Sequence, residues 1–377
     1  MFYLGGVGLA FFLTLLLVSK KQKTTADKIL TGWLTLMILH LLMFYFRKAE
    51  LYPQTLGVEI PLPLIHGPFL YLYTRALTGR PASARMVLLH SLPVITILIY
   101  VIPFLALPLE QKIFVYKNQG AGYEIFSVVR SIVIMASGVI YVILSSFVLR
   151  RHRLSIANQF SNTDRINLAW MQYLIYWIGV IWFLVIFTND DWVFGAAVLF
   201  ILFIGFFGIR QTDIFLSAAS PEAVRDNDFT KTAGAKVRIE STPDNAEEKR
   251  KYQKSGLSAG ASEALHRQLT QLMTDEKLFR ESELSLSDLA ARLSTQPNYL
   301  SRVINEREMK NFYDYINTLR IEEFKRVATN ADSKKYTLLA LAEQCGFSSK
   351  SSFNRYFKKV TGQSPSEFID SASVSEK

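Results

Sequence analysis

The sequence predicts an all-α protein in two parts, a bundle of seven membrane-spanning helices followed by a soluble helical module. Two observations lead to this prediction. Seven apolar segments lie before residue 210, most of them close to the roughly 20 residues that a bilayer-spanning helix needs. From Ala261 onward, apolar residues instead recur at the spacing of soluble amphipathic helices. The formal net charge of +10 fits basic membrane loops and a nucleic-acid-binding surface equally well.

The apolar segments make residues 1–210 the membrane part. Several contain Pro or Gly, which membrane helices tolerate. The first has no basic start and no Ala-x-Ala-like cleavage site, so we interpret it as a retained helix rather than a signal peptide. The third is the shortest. The predicted spans are residues 2–18, 29–46, 63–77, 87–107, 125–149, 168–187 and 192–209.

Loop charges predict how these helices are oriented. The first, third and fifth loops carry clusters of Lys and Arg, such as Arg150, Arg151 and Arg153 in the fifth. The loops between them hold few basic residues and several acidic ones, including Asp190 and Asp191. Under the positive-inside rule this alternation puts the N-terminus outside and everything after residue 210 in the cytoplasm. Six or eight helices would put the C-terminal part on the other side of the membrane.

Four residues of the membrane part are candidates for sensing a signal. Arg130 lies about one turn inside the fifth predicted helix, where a charge is costly unless it is paired or snorkels to the interface. His66, Tyr71 and Tyr73 occur in the run HGPFLYLYTR. That run can line an outward-facing pocket, or it can form an aromatic belt at the membrane surface. No ligand class follows from either interpretation.

The sequence carries no catalytic or metal-binding pattern. It has no HExxH, no GxSxG, no phosphate loop and no dinucleotide fingerprint. Cys345 is the only cysteine, which excludes an intramolecular disulfide and zinc sites built on paired cysteines. We therefore predict no catalytic residues, no metal and no cofactor. The polar segment 211–261, rich in Ser, Ala and Gly, predicts a largely disordered linker.

Residues 262–377 predict a module with two helix-turn-helix units. In the first, at residues 286–305, Ser287 can cap one helix and Pro297 suits the first turn of the next. In the second, at residues 338–359, Gly346 supplies a left-handed turn residue and Ser348 or Ser349 can cap the following helix. Between the units, one helical stripe predicts a connecting helix that packs against both. It consists of Phe312, Tyr315, Ile316, Leu319 and Phe324.

At these residues the chain resembles the AraC family of bacterial transcription regulators. The resemblance covers residues 284–368 and rests on the runs YLSRVIN, NFYDYINTLRIEEFK and GFSSKSSFNRYFKKVTGQSPSEF. Cys345 departs from the family's usual branched apolar residue, and Phe368-Ile369-Asp370 departs from its usual aromatic-Arg ending. The seven predicted helices look like a membrane-bound branch of this family.

The resemblance implies two recognition helices, Gln296–Asn305 and Ser349–Lys359, that enter successive major grooves of DNA. Arg favours guanine edges, and Asn or Gln favours adenine. The second helix carries four cations and no acid, so we expect it to contribute more of the phosphate contacts. The candidate DNA-binding residues are Gln296, Asn298, Tyr299, Arg302, Lys350, Ser351, Asn354, Arg355, Lys358 and Lys359.

These observations predict a membrane-embedded, sequence-specific transcription regulator that couples a membrane or extracytoplasmic signal to gene expression. Its expected partners are double-stranded DNA, the lipid bilayer, a second copy of the chain and an unknown signal. The expected location is the inner (cytoplasmic) membrane. Two alternatives stay open, namely a seven-helix transporter or membrane enzyme with a regulatory DNA-binding tail, and a receptor whose helix-turn-helix units bind protein.

Overall fold

The structure, a computed structural model, describes residues 2–118, 120–164, 166–218, 259–329 and 335–374. Within these ranges the chain forms fifteen α-helices and no strand, which confirms the all-α prediction. The helices divide into two compact units. The first contains residues 2–152 and 168–218, and the second contains residues 153–167 and 259–374.

The first unit holds the apolar helices. They are α1 (Phe2–Ser19), α2 (Thr25–Lys48), α3 (Pro63–Leu77), α4 (Ala84–Leu105), α5 (Leu109–Lys117), α6 (Glu124–Ala157), α7 (Ala169–Phe187) and α8 (Asp190–Ala218). Six of them are long and apolar enough to cross a membrane, namely α1, α2, α4, α6, α7 and α8. The outer faces of α4 and α6 expose large apolar side chains such as Leu89, Ile99 and Phe147, as a lipid-facing surface would.

The helices of this unit depart from the predicted spans at several points, and α6 continues to Ala157, past the predicted end at residue 149. The third predicted span forms α3 with the expected bounds, but its 15 residues are too few to count among the six, so the number seven stays a prediction. Helix α5 was not predicted. Helix α8 continues to Ala218, into the segment predicted as linker. Residues 219–258 of that segment lie outside the described residues, and residues 259–261, also predicted as linker, begin the next helix.

Trp33 lies at the centre of the first unit and is fully buried. Its ring packs on Phe200 of α8, with 5.5 Å between centroids, and on Phe69 and Tyr73 of α3 at 6.3 and 6.4 Å. Small residues let neighbouring helices approach closely elsewhere. At Gly138 of α6 an added Cβ would lie only 2.2 Å from the Trp182 ring of α7. Close approach of helices at small residues is common in membrane proteins.

The second unit contains seven further helices. They are α9 (Ala259–Asp275), α10 (Leu286–Arg292), α11 (Pro297–Glu308), α12 (Phe312–Ala328), α13 (Leu338–Gln344), α14 (Lys350–Thr361) and α15 (Pro365–Val374). They enclose two apolar cores. Helix α12 contributes Phe312, Tyr315 and Ile316 to one core and Ile321 and Phe324 to the other. The predicted connecting helix that packs against both units is thereby confirmed.

Candidate functional site

The first helix-turn-helix unit consists of α10, a tight turn and α11. Ser285 caps α10, because its hydroxyl accepts from the Asp288 N–H at 3.2 Å while the Asp288 carboxylate accepts from the Ser285 N–H at 3.1 Å. The prediction that Ser287 caps this helix was wrong, since Ser287 lies inside α10. Ser294 takes the left-handed turn position with φ 51°, and Pro297 begins α11 as predicted.

The second unit repeats this layout with α13 and α14. Gly346 lies in the turn with φ 98°. An added Cβ there would lie 2.6 Å from the carbonyl oxygen of Phe279 and 2.8 Å from that of Arg280, so the turn requires glycine for space as well as conformation. Ser349 caps α14 by accepting from the Ser352 N–H at 3.2 Å, which settles the predicted choice between Ser348 and Ser349.

Helix α11 carries the four candidate DNA-binding residues of the first unit. Gln296, immediately before the helix, and Asn298 are exposed, while Tyr299 is half-buried. Arg302 is exposed, but its Nε donates to the Glu306 carboxylate at 2.7 Å, one turn along the same helix. A surface pair of this kind contributes little energy, so it leaves Arg302 free to exchange Glu306 for a base edge.

Helix α14 carries six candidate residues, all of them exposed. Lys350 and Lys358 have no ion-pair partner within the described part of the chain, whereas Arg355 has a carboxylate, that of Asp164, at 3.6 Å. Lys359 differs, because its Nζ lies 2.6 Å from the Asp314 carboxylate at the start of α12 and 5.2 Å from the Tyr356 ring centroid. Asp314 therefore already offsets part of the positive charge that the sequence predicted for phosphate contact.

Residues 159–164, here called the docking segment, pack in the second unit against the helix-turn-helix module. The Leu286 N–H donates to the Gln159 carbonyl at 2.8 Å, and the Ser161 N–H donates to the Leu284 carbonyl at 3.2 Å. Phe160 and Ser285 thus form an isolated antiparallel bridge. Asn162 adds a bond from its amide nitrogen to the Glu283 carboxylate at 2.9 Å. The sequence predicted only a basic membrane loop here.

Helix α12 holds the docking segment from its other side. Arg320 is almost fully buried and donates to the Ser161 carbonyl at 3.3 Å and to the Ser161 hydroxyl at 3.0 Å. The amide of Asn317 donates to the same carbonyl at 3.0 Å. Burial lowers the pKa of Arg320 to about 10, so the guanidinium stays charged at neutral pH.

Asp164 ends the docking segment on the first turn of α14. The Ser349 hydroxyl donates to its carboxylate at 2.6 Å, and the Ser352 hydroxyl donates to the other carboxylate oxygen. The Arg355 guanidinium lies 3.6 Å from the same carboxylate. A helix N-terminus, with its unpaired backbone N–H groups and positive end of the dipole, is a favourable position for an anion. No pattern in the sequence predicts this contact, because Asp164 lies in a polar loop without periodic apolar residues.

The predicted sensing residues occupy two kinds of position in the first unit. Tyr73 is buried between Trp33 and Trp170. Tyr71 is also buried, and its hydroxyl accepts from Arg75 at 3.4 Å. His66 and Arg130 instead line one cavity of about 580 Å³. The structure therefore brings two of the four residues to a single cavity.

The C-terminal part of the chain is similar to known regulators. Residues 289–371 match the family described as "Helix-turn-helix domain". An uncharacterized HTH-type transcriptional regulator of Staphylococcus aureus (strain COL) is 36% identical over 92 residues, which are 24% of this chain and 12% of that protein. YijO of Escherichia coli (strain K12), also described as an uncharacterized HTH-type transcriptional regulator, is 33% identical over 87 residues.

The second match covers 23% of this chain and 30% of YijO. The chain therefore spans less than a third of the length of either bacterial relative, and the likeness concerns the helix-turn-helix module alone. No solved structure matches the chain.

Proposed function

Because the C-terminal part is an AraC-type helix-turn-helix domain, we propose that the protein is a membrane-embedded transcription regulator. It reads a specific sequence in double-stranded DNA and couples a membrane or extracytoplasmic signal to gene expression. The observation that carries this proposal is the covalent continuity of one chain. Six apolar helices of membrane-spanning length and a double helix-turn-helix module belong to the same polypeptide.

DNA reading is assigned to α11 and α14. Successive major grooves on one face of DNA are one helical turn, about 34 Å, apart. Two recognition helices with that spacing can enter both grooves. The exposed Asn298 and Asn354 are suited to adenine edges, and Arg302 and Arg355 to guanine edges. Gln296, Tyr299, Lys350 and Ser351 complete the proposed base-facing set, with Lys358 and Lys359 toward phosphate. In this role the chain binds and carries out no reaction.

The proposed location is the inner membrane, with the N-terminus outside and the module in the cytoplasm. Support comes from the alternation of basic and acidic loops, which the positive-inside rule converts into orientation. A seventh crossing by α3 is part of this proposal, because an odd number of spans is needed to bring the C-terminus to the side that holds DNA. A homodimer in the bilayer would raise the effective concentration of two modules on one operator.

Coupling is assigned to the docking segment. It belongs to the stretch of chain that joins α6 to α7, and it bonds to the module through Ser161 and Asp164. A displacement of α6 or α7 by a signal is therefore transmitted to the module through a stretch of a few residues. This route is shorter than the polar segment 219–258.

Chromatin immunoprecipitation with sequencing of the full-length protein tests the function directly. We expect discrete genomic sites that disappear in an Asn354→Ala, Arg355→Ala variant, whose substitutions are exposed and leave the cores intact. Reporter fusions after Leu51 and after Gly79, on either side of α3, test the topology, and only the second should show cytoplasmic activity. A binding profile without discrete sites would contradict sequence-specific regulation. Cytoplasmic activity at both fusion points would contradict the odd number of spans.

A further inference from the structure

The cavity of the first unit has the size of a small-molecule site. Its volume of about 580 Å³ lies within the range of roughly 300–1,000 Å³ that is usual for ligand pockets. Seven helices, α2 to α8, contribute to its wall, which is mostly apolar and includes Leu41, Phe104, Ile134, Trp182 and Phe200. An occupant must therefore present an apolar body to this wall.

One hydrogen-bond donor at the cavity follows from a chain of three side chains. The indole N–H of Trp33 can only donate, so the Nδ1 atom of His66, 3.1 Å away, accepts. The proton of neutral His66 is then on Nε2, which donates to Nδ1 of His40 at 2.9 Å. His40, which lines the cavity, consequently carries its own proton on Nε2. Among the described residues no group accepts that proton.

The second donor is Arg130. Its Nε is buried without a hydrogen-bond partner, and within the described ranges no carboxylate lies within ion-pair distance of its guanidinium. Three other charged side chains of the described residues line the cavity, and one of them, Glu59, attracts Arg130 from beyond ion-pair distance. Arg47 pairs with Asp190, and the Glu59 carboxylate accepts from the Gly57 N–H at 3.2 Å. An unpaired guanidinium beside an apolar wall is an unfavourable arrangement that an anion would relieve.

We infer that the cavity binds an amphipathic anion, with a carboxylate or phosphate head at Arg130 and His40 and a hydrocarbon chain against the apolar wall. Such a head supplies the acceptor oxygens that both donors lack. That this molecule acts as the signal rests on the proposed function, whereas its binding does not. The same chemistry could come from a free fatty acid or from the headgroup of an anionic phospholipid.

Binding can be measured on the full-length protein in nanodiscs of phosphatidylcholine by the fluorescence of Trp182 and its neighbours. We expect sodium decanoate to give a saturable change that decanol and decyltrimethylammonium do not give. Arg130→Gln should weaken decanoate binding at least tenfold, while Arg130→Lys should keep most of it. Arg150→Gln, an exposed site on the same helix but outside the cavity, should bind like the parent protein.

An equal response to decanol, or unchanged decanoate binding in Arg130→Gln, would overturn the inference. Nanodiscs containing phosphatidylglycerol separate the two sources, because a phospholipid occupant would compete with decanoate and a free fatty acid site would be unaffected. Operator binding measured on the same samples separates this inference from the proposed function. If DNA binding is absent while decanoate binding is intact, the proposed regulatory function is contradicted and the inferred ligand site still stands.

A second inference comes independently from the docking segment. Asp164 occupies the first turn of α14, the helix assigned to the major groove, and engages Ser349, Ser352 and Arg355 there. The hydroxyls and free N–H groups of such a turn are typical contacts for a DNA phosphate. A carboxylate bound at this point repels an approaching phosphate and takes up the donors that would hold it.

We propose that the docking segment competes with DNA for α14, so that the module binds its operator more tightly when Asp164 is released. The buried hydrogen bonds of Ser161 with Arg320 and Asn317 anchor the segment. They thereby keep the Asp164 carboxylate beside the first turn of α14. In this arrangement the stretch between α6 and α7 acts as a built-in inhibitor of the second helix-turn-helix unit.

Operator affinity of the full-length protein in nanodiscs tests this competition by fluorescence anisotropy. Asp164→Asn should tighten binding about fivefold or more, since one charge contact of about 1 kcal/mol corresponds to that factor. Asp275→Asn makes the same charge change at an exposed site on α9 and should shift affinity much less. Binding by Asp164→Asn that is unchanged relative to this control would show that Asp164 does not compete with DNA, and weaker binding would show that it supports α14. Either result would overturn the proposal.

Discussion

Arg320 on α12 donates hydrogen bonds to the carbonyl and the hydroxyl of Ser161, at 3.3 and 3.0 Å, although 159 positions separate the two residues in the chain. The same guanidinium donates to the Phe279 carbonyl at 2.6 Å and to the Glu281 carbonyl at 2.7 Å. One buried side chain therefore joins the docking segment, the stretch that precedes α10 and the connecting helix. This relationship makes the module's stability depend on a stretch of the chain that the sequence assigned to the membrane part.

Replacement of Arg320 by Met should destabilise the module by at least about 3 kcal/mol, because several buried carbonyl groups lose a charged donor. Urea unfolding of the full-length protein, followed by module-specific proteolysis, gives the loss. Lys325→Met is the matched control on the same helix. Lys325 makes only a surface pair with Glu322 at 2.7 Å, so its removal should cost less than about 0.5 kcal/mol. Equal losses for the two variants would contradict the role assigned to Arg320.

Cys345, the only cysteine in the chain, should react very slowly with alkylating reagents while the module is folded. Its side chain is buried, and burial raises the pKa of the thiol to about 11. At pH 8 the reactive thiolate is therefore scarce as well as inaccessible. Mass spectrometry after iodoacetamide treatment should show labelling that accelerates sharply in denaturant. Labelling of the native protein at the rate of free glutathione would contradict the buried position.

Gly346→Ala should destabilise the second helix-turn-helix unit by about 3 kcal/mol or more, since a left-handed backbone and a clash with two carbonyl oxygens act together. Gly362→Ala is a close control. Gly362 also has a left-handed φ of 81°, but an added Cβ there meets no atom within 4 Å. The control should cost only about 1 kcal/mol. Thermal unfolding monitored by Cys345 labelling compares the two variants, and a similar cost for both would contradict the steric argument.

Glu323 should make the module's stability fall in acid. Hydrogen bonds from Arg326, Lys277 and Arg280 hold the pKa of this carboxyl at about 2, below its ordinary value of 4.5. A depressed pKa contributes stability that is fully present above pH 4.5 and is lost as the pH falls through about 2. Glu323→Gln should therefore unfold more easily by about 1–2 kcal/mol at pH 7 and match the parent protein near pH 2. Urea unfolding at both pH values checks the sign, and a difference that grows toward acid would be inconsistent with it.

Lys358 and Lys359 should differ in their effect on DNA binding, although the sequence treats them alike. Loss of one phosphate contact flattens the log–log salt dependence of the binding constant by about 0.9. We expect that change for Lys358→Ala and a smaller one for Lys359→Ala, because Lys359 already pairs with Asp314. Anisotropy titrations at several salt concentrations give the slopes. Equal slopes for the two variants would show that the pairing with Asp314 does not weaken the phosphate contact of Lys359.

The helices of this protein were largely predictable, and the reasons are local. Helix α3 has the predicted bounds, and Pro297, Gly346 and Ser349 start or end helices where the sequence indicated. Caps and left-handed turns act within four residues, so a short window contains the whole signal. The prediction of Ser287 as a cap was wrong for a reason that is also local. Ser285 stands three residues before Asp288, the spacing at which the two side chains bond to each other's backbone N–H, and Ser287 lacks that spacing.

The sequence by itself determined the all-α architecture, the apolar helices and the two helix-turn-helix units, because hydrophobic period and turn residues encode them. Only the tertiary structure decided that Ser161 and Asp164 join the module, that Asp314 engages Lys359, and that His40, His66 and Arg130 meet at one cavity. The physical reason is the length of chain between the partners. These contacts join residues that are tens to more than a hundred positions apart, and such a contact leaves no period in either segment, so only the folded packing of the helices brings the partners together.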